Sequence, residues 1–204
     1  MDETEQLNQD EGRAGPVDSI PSAAHLFDDD ERLPYRATIH AAAYDGIGKL
    51  PVSVLLENVR SLYNVGSFFR TGDAAGIEAL HLCGYTGYPP MKALTKTALG
   101  AEETVKWDHT KDALSRVQEL RSRGYEIAAI ETSMRSVDLF EWHPRFPVCV
   151  LFGHEVDGLT EPLREIADTH VRIPMLGRKH SLNVATSGGV VMYELLRKYV
   201  AARK

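Results

Sequence analysis

Residues 173–197 read IPMLGRKHSLNVATSGGVVMYELLR, and this stretch decides the fold of the chain. A short apolar run leads through a polar turn into a segment with apolar residues at mostly helical spacing: Val184, Val190, Val191, Leu195 and Leu196. Ser181 and Asn183 precede that segment, and both are common helix-capping residues. Taken alone, the stretch therefore indicates a strand, a turn and a helix whose first amides are satisfied by polar side chains.

The same alternation of strand and helix extends upstream from this stretch. Strands are predicted at 52–57, 77–82, 125–131, 148–152 and 170–173, with a smaller one near Val105 and Trp107. Helices are predicted at 39–44, 64–75, 92–99, 110–123 and 160–167, with Asn64 and Thr110 as caps of two of them. Alternating strands and helices predict a single α/β domain with a mostly parallel sheet and helices on both faces.

Charge is unevenly distributed along the 204 residues. The net charge is −6, yet residues 1–32 contain ten acidic residues against only Arg13 and Arg32, so the rest of the chain is slightly basic. The acidic segment has no sustained apolar periodicity and is expected to be a disordered tail. We therefore predict a tail at 1–32, a short extension at 33–50 and one folded domain at 51–204.

Several classes of protein are disfavoured by what the sequence lacks. It has no run of 18 apolar residues and no basic-apolar leader, so we expect a cytoplasmic protein without a membrane span. Cys83 and Cys149 lack metal-like spacing and are expected to be buried, reduced thiols, and no HExxH pair occurs, so no metal is expected. The absence of GxGxxG, Walker and GxSxG patterns argues against an oxidoreductase or a hydrolase.

Polar turns follow several of the predicted strands, after Glu57, Glu131, Phe152 and Ile173. Ligands of parallel α/β sheets bind at the carboxyl ends of the strands, so these turns are where a site is expected. Each turn also has an ordinary explanation. Arg70 could be a solvated helix residue paired with Asp73, or it could be a guanidinium aimed at a phosphate or ribose oxygen.

A second candidate turn is FGHEVDG at residues 152–158. Gly153 directly follows an apolar strand and would let a ligand approach the backbone closely. Glu155 and Asp157 stand on the same turn, where they could equally complement the dipole of the next helix.

Three motifs in this order resemble those of the SpoU-type, or TrmH-family, branch of the SPOUT RNA methyltransferases. The first is carried by Asn64, Arg70, Thr71, Asp73 and Ala74. The second is carried by Gly153, Glu155 and Gly158. The third is carried by residues 173–175, Gly177, residues 181–184, Tyr193 and Glu194. The resemblance covers about residues 50 to 200 and includes KTALGA at 96–101.

The resemblance implies an enzyme that transfers a methyl group from S-adenosylmethionine to a ribose 2′-hydroxyl of RNA. It also implies a deep C-terminal trefoil knot, and a homodimer in which the arginine of the first motif reaches the other subunit's cofactor site. The implied cofactor-binding residues are Glu131, Thr132, Gly153, Ile173, Met175 and Leu182. The implied catalytic residues are Arg70, Asn64, Glu155, Ser181 and Asn183.

The roles of these residues follow from their chemistry. A guanidinium has a pKa above about 12, so Arg70 is a poor base and is better suited to stabilising a developing alkoxide. Glu155 is the better candidate to accept or relay the proton, or to orient Arg70. Asn64, Ser181 and Asn183 would hold the ribose and the arginine by hydrogen bonds.

The RNA substrate is left open by the sequence. Transfer RNA is favoured over ribosomal RNA, because substrate selection would depend on basic residues of the domain surface: Arg60, Lys92, Lys96, Arg178 and Lys179. The first motif departs from several relatives, which have a basic residue and proline where this chain has Ser61 and Leu62. A catalytically idle RNA-binding dimer of the same fold is the alternative.

Overall fold

A computed structural model describes residues 48–203 of the chain. Its strands are β1 (Leu50–Glu57), β2 (Ile77–Cys83), β3 (Lys106–Thr110), β4 (Glu126–Ile130), β5 (Val137–Asp138), β6 (Val148–Phe152) and β7 (Thr169–Arg172). Its helices are α1 (Leu62–Ala75), α2 (Lys92–Ala98), α3 (Ala101–Thr104), α4 (Ala113–Ser122), α5 (Glu161–Ile166) and α6 (Val184–Ala202). The predicted tail and the predicted helix at 39–44 lie outside the described residues.

The seven strands form one sheet in the order β3-β2-β1-β6-β4-β7-β5. Every pairing among these strands is parallel. Strand β1 has neighbours on both sides and is almost completely buried, as its run of apolar residues predicts for a central parallel strand. Val54 packs into the core under α1 and α6, and the next residue, Leu55, packs into the core under α4 and α5. The predicted α/β fold with helices on both faces is confirmed.

Helices α1 and α6 pack together because one glycine leaves room for an aromatic ring. A Cβ atom at Gly188 of α6 would lie 2.2 Å from the Phe68 ring of α1. Phe68 also packs edge-on against Phe152 of β6, with 5.1 Å between the ring centroids. This stack places the beginning of α6 beside the carboxyl end of β6, where a site is expected.

The caps of two helices differ from the sequence prediction. Helix α1 begins earlier than predicted, because the Ser61 hydroxyl accepts a hydrogen bond from the backbone N–H of Asn64 at 3.3 Å. Asn64 therefore lies within the first turn, and its side chain is available for other contacts. Helix α4 is capped by Asp112, which accepts from the backbone N–H of Ser115, whereas Thr110 ends β3. Helix α6 is capped by Asn183 as predicted.

Two short elements, α3 and β5, were not predicted, because they are too short to show a periodic pattern. Cys83 and Cys149 are buried and unpaired, and burial raises the pKa of the Cys83 thiol to about 12. Among residues 48–203, no helix is both long and apolar enough to cross a bilayer.

Candidate functional site

A cavity of about 440 Å³ lies at the carboxyl ends of β4, β6 and β7. Three loops form its walls: the one after β4, the one after β6, and the segment between β7 and α6. All six residues predicted to bind a cofactor line it: Glu131, Thr132, Gly153, Ile173, Met175 and Leu182. Three of the five predicted catalytic residues line it too: Glu155, Ser181 and Asn183. The cavity therefore gathers side chains that are far apart in sequence at the predicted edge of the sheet.

Gly153 is required where the chain leaves β6, because the two ends of the loop after β6 approach each other closely there. A Cβ atom at this position would lie 2.1 Å from the carbonyl carbon of Gly158 and 2.2 Å from the backbone nitrogen of Leu159. His154 and Gly158 exchange two backbone hydrogen bonds of 3.0 Å, which close the loop into a tight turn. Gly158 has a φ of +73°, a conformation that favours glycine. Both glycines of the second motif therefore have a geometric reason to be glycine.

Glu155 lies at the centre of a hydrogen-bond network that joins all three motifs. One carboxylate oxygen accepts hydrogen bonds from the backbone N–H of Ser61 at 3.1 Å and from the Asn64 amide at 3.0 Å. The other accepts from the backbone N–H of Arg60 at 3.1 Å. The amide of Asn183 in turn donates to the Asn64 side-chain oxygen at 3.1 Å. The beginnings of α1 and α6 are thus fixed to the loop after β6.

These contacts determine the charge of Glu155. Partial desolvation alone would raise the pKa of its carboxyl group, but the hydrogen bonds from Arg60, Ser61 and Asn64 outweigh it and hold the pKa below its ordinary value. Glu155 is therefore ionised at neutral pH, with both oxygens already engaged. Such a carboxylate is well suited to positioning its donors and poorly suited to accepting a proton.

Two further carboxylates bind neighbouring loops in the same way. Glu131, directly after β4, accepts a hydrogen bond from the backbone N–H of Leu159 at 3.0 Å. Glu57, the last residue of β1, accepts from the backbone N–H of Thr160 at 2.8 Å and from its hydroxyl at 2.7 Å. The sequence marked both residues as strand ends but gave no sign of their partners. Like Glu155, these two residues fix loops near the site by accepting hydrogen bonds from the backbone N–H groups of those loops.

Arg70 lies apart from the cavity. It is exposed on α1 and is not among the residues that line the cavity. It is a solvated helix residue, as one explanation of the sequence predicts, but within residues 48–203 it forms no ion pair with Asp73. Asp73 instead accepts a hydrogen bond from Thr104. Among the described residues, no hydrogen bond joins Arg70 to Glu155. Four of the five predicted catalytic residues therefore meet in one chain, and Arg70 does not join them.

The charges around the cavity are mixed. Glu131, Glu155 and Asp157 contribute carboxylates, while Arg164, Arg172 and His180 contribute basic groups at other points of the lining. Arg172 is paired with Asp138, so its charge is partly compensated. Among the described residues, no group of three His, Cys, Asp or Glu side chains is placed to hold a metal ion.

A second cavity of about 400 Å³ lies at the ends of β1 and β2, on the other side of the loop after β1. Its lining includes Glu57, Asn58, Gly84, Lys111 and Asp112. The turn after Glu57 is one of those where a site is expected, but none of the residues predicted to bind a cofactor or to act in catalysis lines this cavity.

A parallel α/β sheet with a ligand-sized cavity at its carboxyl edge is the architecture of a nucleotide- or cofactor-binding protein. The three motif loops around this cavity narrow the class further. Residues 51–193 match the model of the SpoU rRNA Methylase family. The chain belongs to this family, and the resemblance found in its sequence is confirmed.

Individual relatives support this placement. The chain is 31% identical over 147 residues to the tRNA (guanosine(18)-2′-O)-methyltransferase of Escherichia coli (strain K12), covering 72% of this chain. It is similar in structure to an AdoMet-bound rRNA methyltransferase from Sinorhizobium meliloti, with a TM-score of 0.68, 30% identity, and 72% and 56% of the two chains covered. It is also similar to the A. aeolicus TrmH/SpoU tRNA modifying enzyme, with a TM-score of 0.69, 28% identity, and 76% and 78% covered.

These relatives are mostly longer than the matched region. The match spans 63% of the length of the E. coli methyltransferase and 56% of the S. meliloti chain. Residues 51–193, which the family model matches, include all the residues that line the cavity.

Proposed function

We propose that this chain transfers a methyl group from S-adenosylmethionine to a ribose 2′-hydroxyl of RNA. One observation carries the proposal: a single ligand-sized cavity is lined by residues of the second and third motifs, and the Glu155 network ties Asn64 of the first motif to its rim. The E. coli and S. meliloti relatives, described as an RNA 2′-O-methyltransferase and an AdoMet-bound rRNA methyltransferase, support the same reaction.

The residues around the cavity fit S-adenosylmethionine. Its volume of about 440 Å³ lies in the range of small-molecule sites. Carboxylates of Glu131 and Asp157 in the lining suit a positively charged ligand, and the backbone of Ile173, Met175 and Leu182 offers donors and acceptors for an adenine edge. When bound, S-adenosylmethionine supplies an electrophilic methyl group on its sulfonium sulfur.

The polar residues at the rim would hold the ribose. Ser181 is exposed in the lining, so its hydroxyl can bind a ligand. The Asn183 and Asn64 amides each keep an N–H beyond the contacts described above, and the network fixes their orientation. Such positioning of reactants contributes roughly 7–11 kcal/mol to catalysis when the geometry is right. Glu155 serves here as the residue that orients Asn64.

Arg70 would act on the site of a second subunit. It is exposed on α1, outside its own chain's cavity, and Tyr63 of α1 and Tyr193 of α6 are large exposed side chains on the two helices that pack together. We infer that this α1–α6 surface is the interface of a homodimer. The guanidinium would stabilise the developing alkoxide of the 2′-oxygen and so lower the pKa of the hydroxyl, and solvent would take the proton.

We also propose that the end of the chain is threaded into a deep trefoil knot. The segment between β7 and α6 shares the walls of one cavity with the loop after β6, and Asn183 contacts Asn64, which supports this threading. Threaded folds are rare, and here the threading would bring Ser181 and Gly153 into one cavity.

Transfer RNA is the proposed substrate, and the cytoplasm the proposed compartment. Two of the relatives reported above, the E. coli tRNA (guanosine(18)-2′-O)-methyltransferase and the A. aeolicus tRNA modifying enzyme, are described as acting on tRNA, which supports this choice. Exposed Arg178 and Lys179 lie in the segment that borders the cavity, where they can contact phosphates. Residues 51–204 would form the methyltransferase domain and residues 1–32 an acidic tail.

Two measurements test the proposal. Calorimetry should detect binding of S-adenosylmethionine and no binding of NAD. Incubation of the protein and S-adenosylmethionine with bulk tRNA and with ribosomal RNA, followed by mass spectrometry of nucleosides, should give 2′-O-methylated nucleosides from tRNA. Products from ribosomal RNA alone would contradict the tRNA preference. RNA binding without any product would favour a catalytically idle RNA-binding dimer.

A further inference from the structure

The side chains of Tyr88, Trp107 and His109 lie together at the β2–α2 loop and the edge strand β3. Tyr85 lies on the same loop, next to Gly84, whose carbonyl oxygen is 3.3 Å from the His109 ring nitrogen; we refer to these four side chains as the aromatic strip. The Tyr88 ring packs on His109 with 4.2 Å between centroids, and it lies nearly parallel to Trp107 with 6.4 Å between centroids. Tyr85 and Tyr88 are 61% and 39% exposed. A soluble protein rarely presents a contiguous set of aromatic rings to water without a binding partner.

The loop that carries the two tyrosines is firmly held. Thr86 is buried, and its hydroxyl donates to the Leu56 carbonyl and accepts from the Val59 backbone N–H, both at 3.0 Å. The backbone N–H of Tyr85 donates to the side-chain oxygen of Asn58 at 3.2 Å. The exposed rings are therefore set in place by a fixed backbone, which lowers the entropic cost of binding a flat ligand.

The aromatic strip is continuous with the proposed active site. The Tyr85 ring lies 6.3 Å from the ring of His154, which lines the 440 Å³ cavity. The two rings meet edge-on, at 75°, so they do not stack on each other. Farther along the loop, a Cβ atom at Gly87 would lie 2.1 Å from the side chain of Leu62, next to Ser61 whose backbone binds Glu155. An RNA strand whose ribose lies at the cavity would therefore pass over the strip.

The charge near the strip suits a nucleic acid. Residues 84–98 contain Lys92 and Lys96 and no acidic residue. On β3, Asp108 lies between Trp107 and His109, but its charge is partly compensated by Arg116, and it contacts His81. Both lysines are exposed and lie one turn apart on α2. Exposed rings that stack on bases, beside lysines that contact phosphates, are the combination that binds single-stranded nucleic acid. A paired helix hides its bases, so the strip selects unpaired nucleotides.

We propose that the aromatic strip binds unpaired bases of the RNA, with Tyr85 stacking on a base next to the ribose that is methylated. This inference rests on the proposed function and adds to it a structural class of target: a ribose in an unpaired loop or end, and not one in a continuous helix.

The test measures RNA affinity separately from methyl transfer. Fluorescence anisotropy with a labelled single-stranded A₁₂ RNA compares the wild type with Tyr85→Leu, which removes the ring, and Tyr85→Phe, which keeps it. Tyr85→Leu should weaken binding roughly 5- to 100-fold, the effect of losing one stacked base, and Tyr85→Phe should bind within about twofold of the wild type. Phe140→Leu is the matched control: Phe140 is 60% exposed but follows β5, at the opposite edge of the sheet.

Each outcome of this test bears on the inference. Equal affinities of wild type and Tyr85→Leu, equal binding of A₁₂ and of the A₁₂·U₁₂ duplex by the wild type, or an equal loss in Phe140→Leu would overturn it. Light scattering on the same samples detects a change of oligomeric state; a dimer lost in Tyr85→Leu would show that the strip contacts a second copy of the chain instead. If the wild type fails to bind S-adenosylmethionine or to methylate RNA, the proposed function fails, whatever A₁₂ shows.

Discussion

The two halves of the candidate site differ in how much of each a single chain provides. On the cavity side, all six predicted cofactor-binding residues share one lining, and Glu57, Glu131 and Glu155 fix the loop after β6 that forms one of its walls. On the other side, Arg70 is exposed on α1 and stands outside that lining. This comparison indicates that the cofactor half is pre-organised within one chain. The proposed RNA half is completed by a second subunit and by the RNA itself.

The largest expected effect concerns the cavity side, through Gly153→Ala. The added Cβ would meet backbone atoms of Gly158 and Leu159 at 2.1–2.3 Å, and backbone cannot move aside as a flexible side chain can. We expect a loss of about 3 kcal/mol in the free energy of unfolding and no detectable binding of S-adenosylmethionine. Urea denaturation and calorimetry measure the two effects. Gly48→Ala is the control, because its added Cβ has nothing within 4 Å.

The substitution Arg70→Ala should affect the RNA half of the site and leave the cofactor half unchanged. We expect kcat for methyl transfer to fall about 100- to 1000-fold, as when one donor to a developing oxyanion is removed, with binding of S-adenosylmethionine unchanged. Arg123→Ala, at an exposed arginine of the segment after α4, is the control. Comparable turnover in Arg70→Ala and the wild type would contradict the assignment.

Mixed dimers test whether Arg70 acts in the site of the other subunit. If Arg70 acts across the interface, a dimer of one Arg70→Ala and one Asn183→Ala subunit keeps one intact site. An equal mixture of the two inactive variants, unfolded together and refolded, should then recover roughly a quarter of wild-type activity. No recovery in refolded dimers would indicate that Arg70 acts within its own chain.

Glu155→Gln probes the network that joins the two halves, with a smaller effect. Replacing a charged acceptor by a neutral one should lower kcat/KM about 10-fold. Because the pKa of Glu155 is held below its ordinary value of about 4.5, its charged form stabilises the network above that pH. This contribution is lost only as the pH falls through the lowered pKa. Titration of Glu155 should therefore cause no change in wild-type activity between pH 5 and 8. Any loss of activity at lower pH that is caused by protonation of Glu155 should be absent from Glu155→Gln.

The smallest effect is expected from the acidic tail. Deleting residues 1–30 should leave RNA affinity unchanged or raise it by a few-fold at low salt, because the acidic residues compete with phosphates for basic side chains. The gain should disappear in high salt, where the charges are screened. A tail with its acids replaced by Asn and Gln is the control. A marked fall in affinity on deletion would give the tail a role in binding RNA.

Much of the fold was predictable because strong local patterns carry it. The buried runs of β1, β2 and β6 and the glycine stop of α1 placed these elements within about two residues of the observed ends. The caps were less predictable. Asn64 and Thr110 have suitable side chains, but Ser61 and Asp112 occupy the extended backbone position that a cap requires.

The site was predictable in its location but not in its contacts. Parallel strand ends meet at one edge, so the turns after Glu131, Phe152 and Ile173 could be grouped from sequence alone. The strand order and the carboxylate contacts could not, because they join residues about 30 to 100 positions apart without a local signal. The aromatic strip could not be predicted from the sequence for the same reason, because Tyr88 and Trp107 meet only when β2 and β3 pair.

The hydrogen bonds of the three carboxylates have a consequence for how sequences of this kind can diverge. Glu57, Glu131 and Glu155 are fixed acceptors, and four of their six donors are main-chain amides, present whatever side chain the residue has. The exposed side chain of Arg60 can therefore be exchanged over generations while the loop keeps its course, whereas Ser61 also caps α1 and Leu159 also packs in the core. New target preferences can arise by changes in exposed side chains of this kind, without rebuilding the cavity.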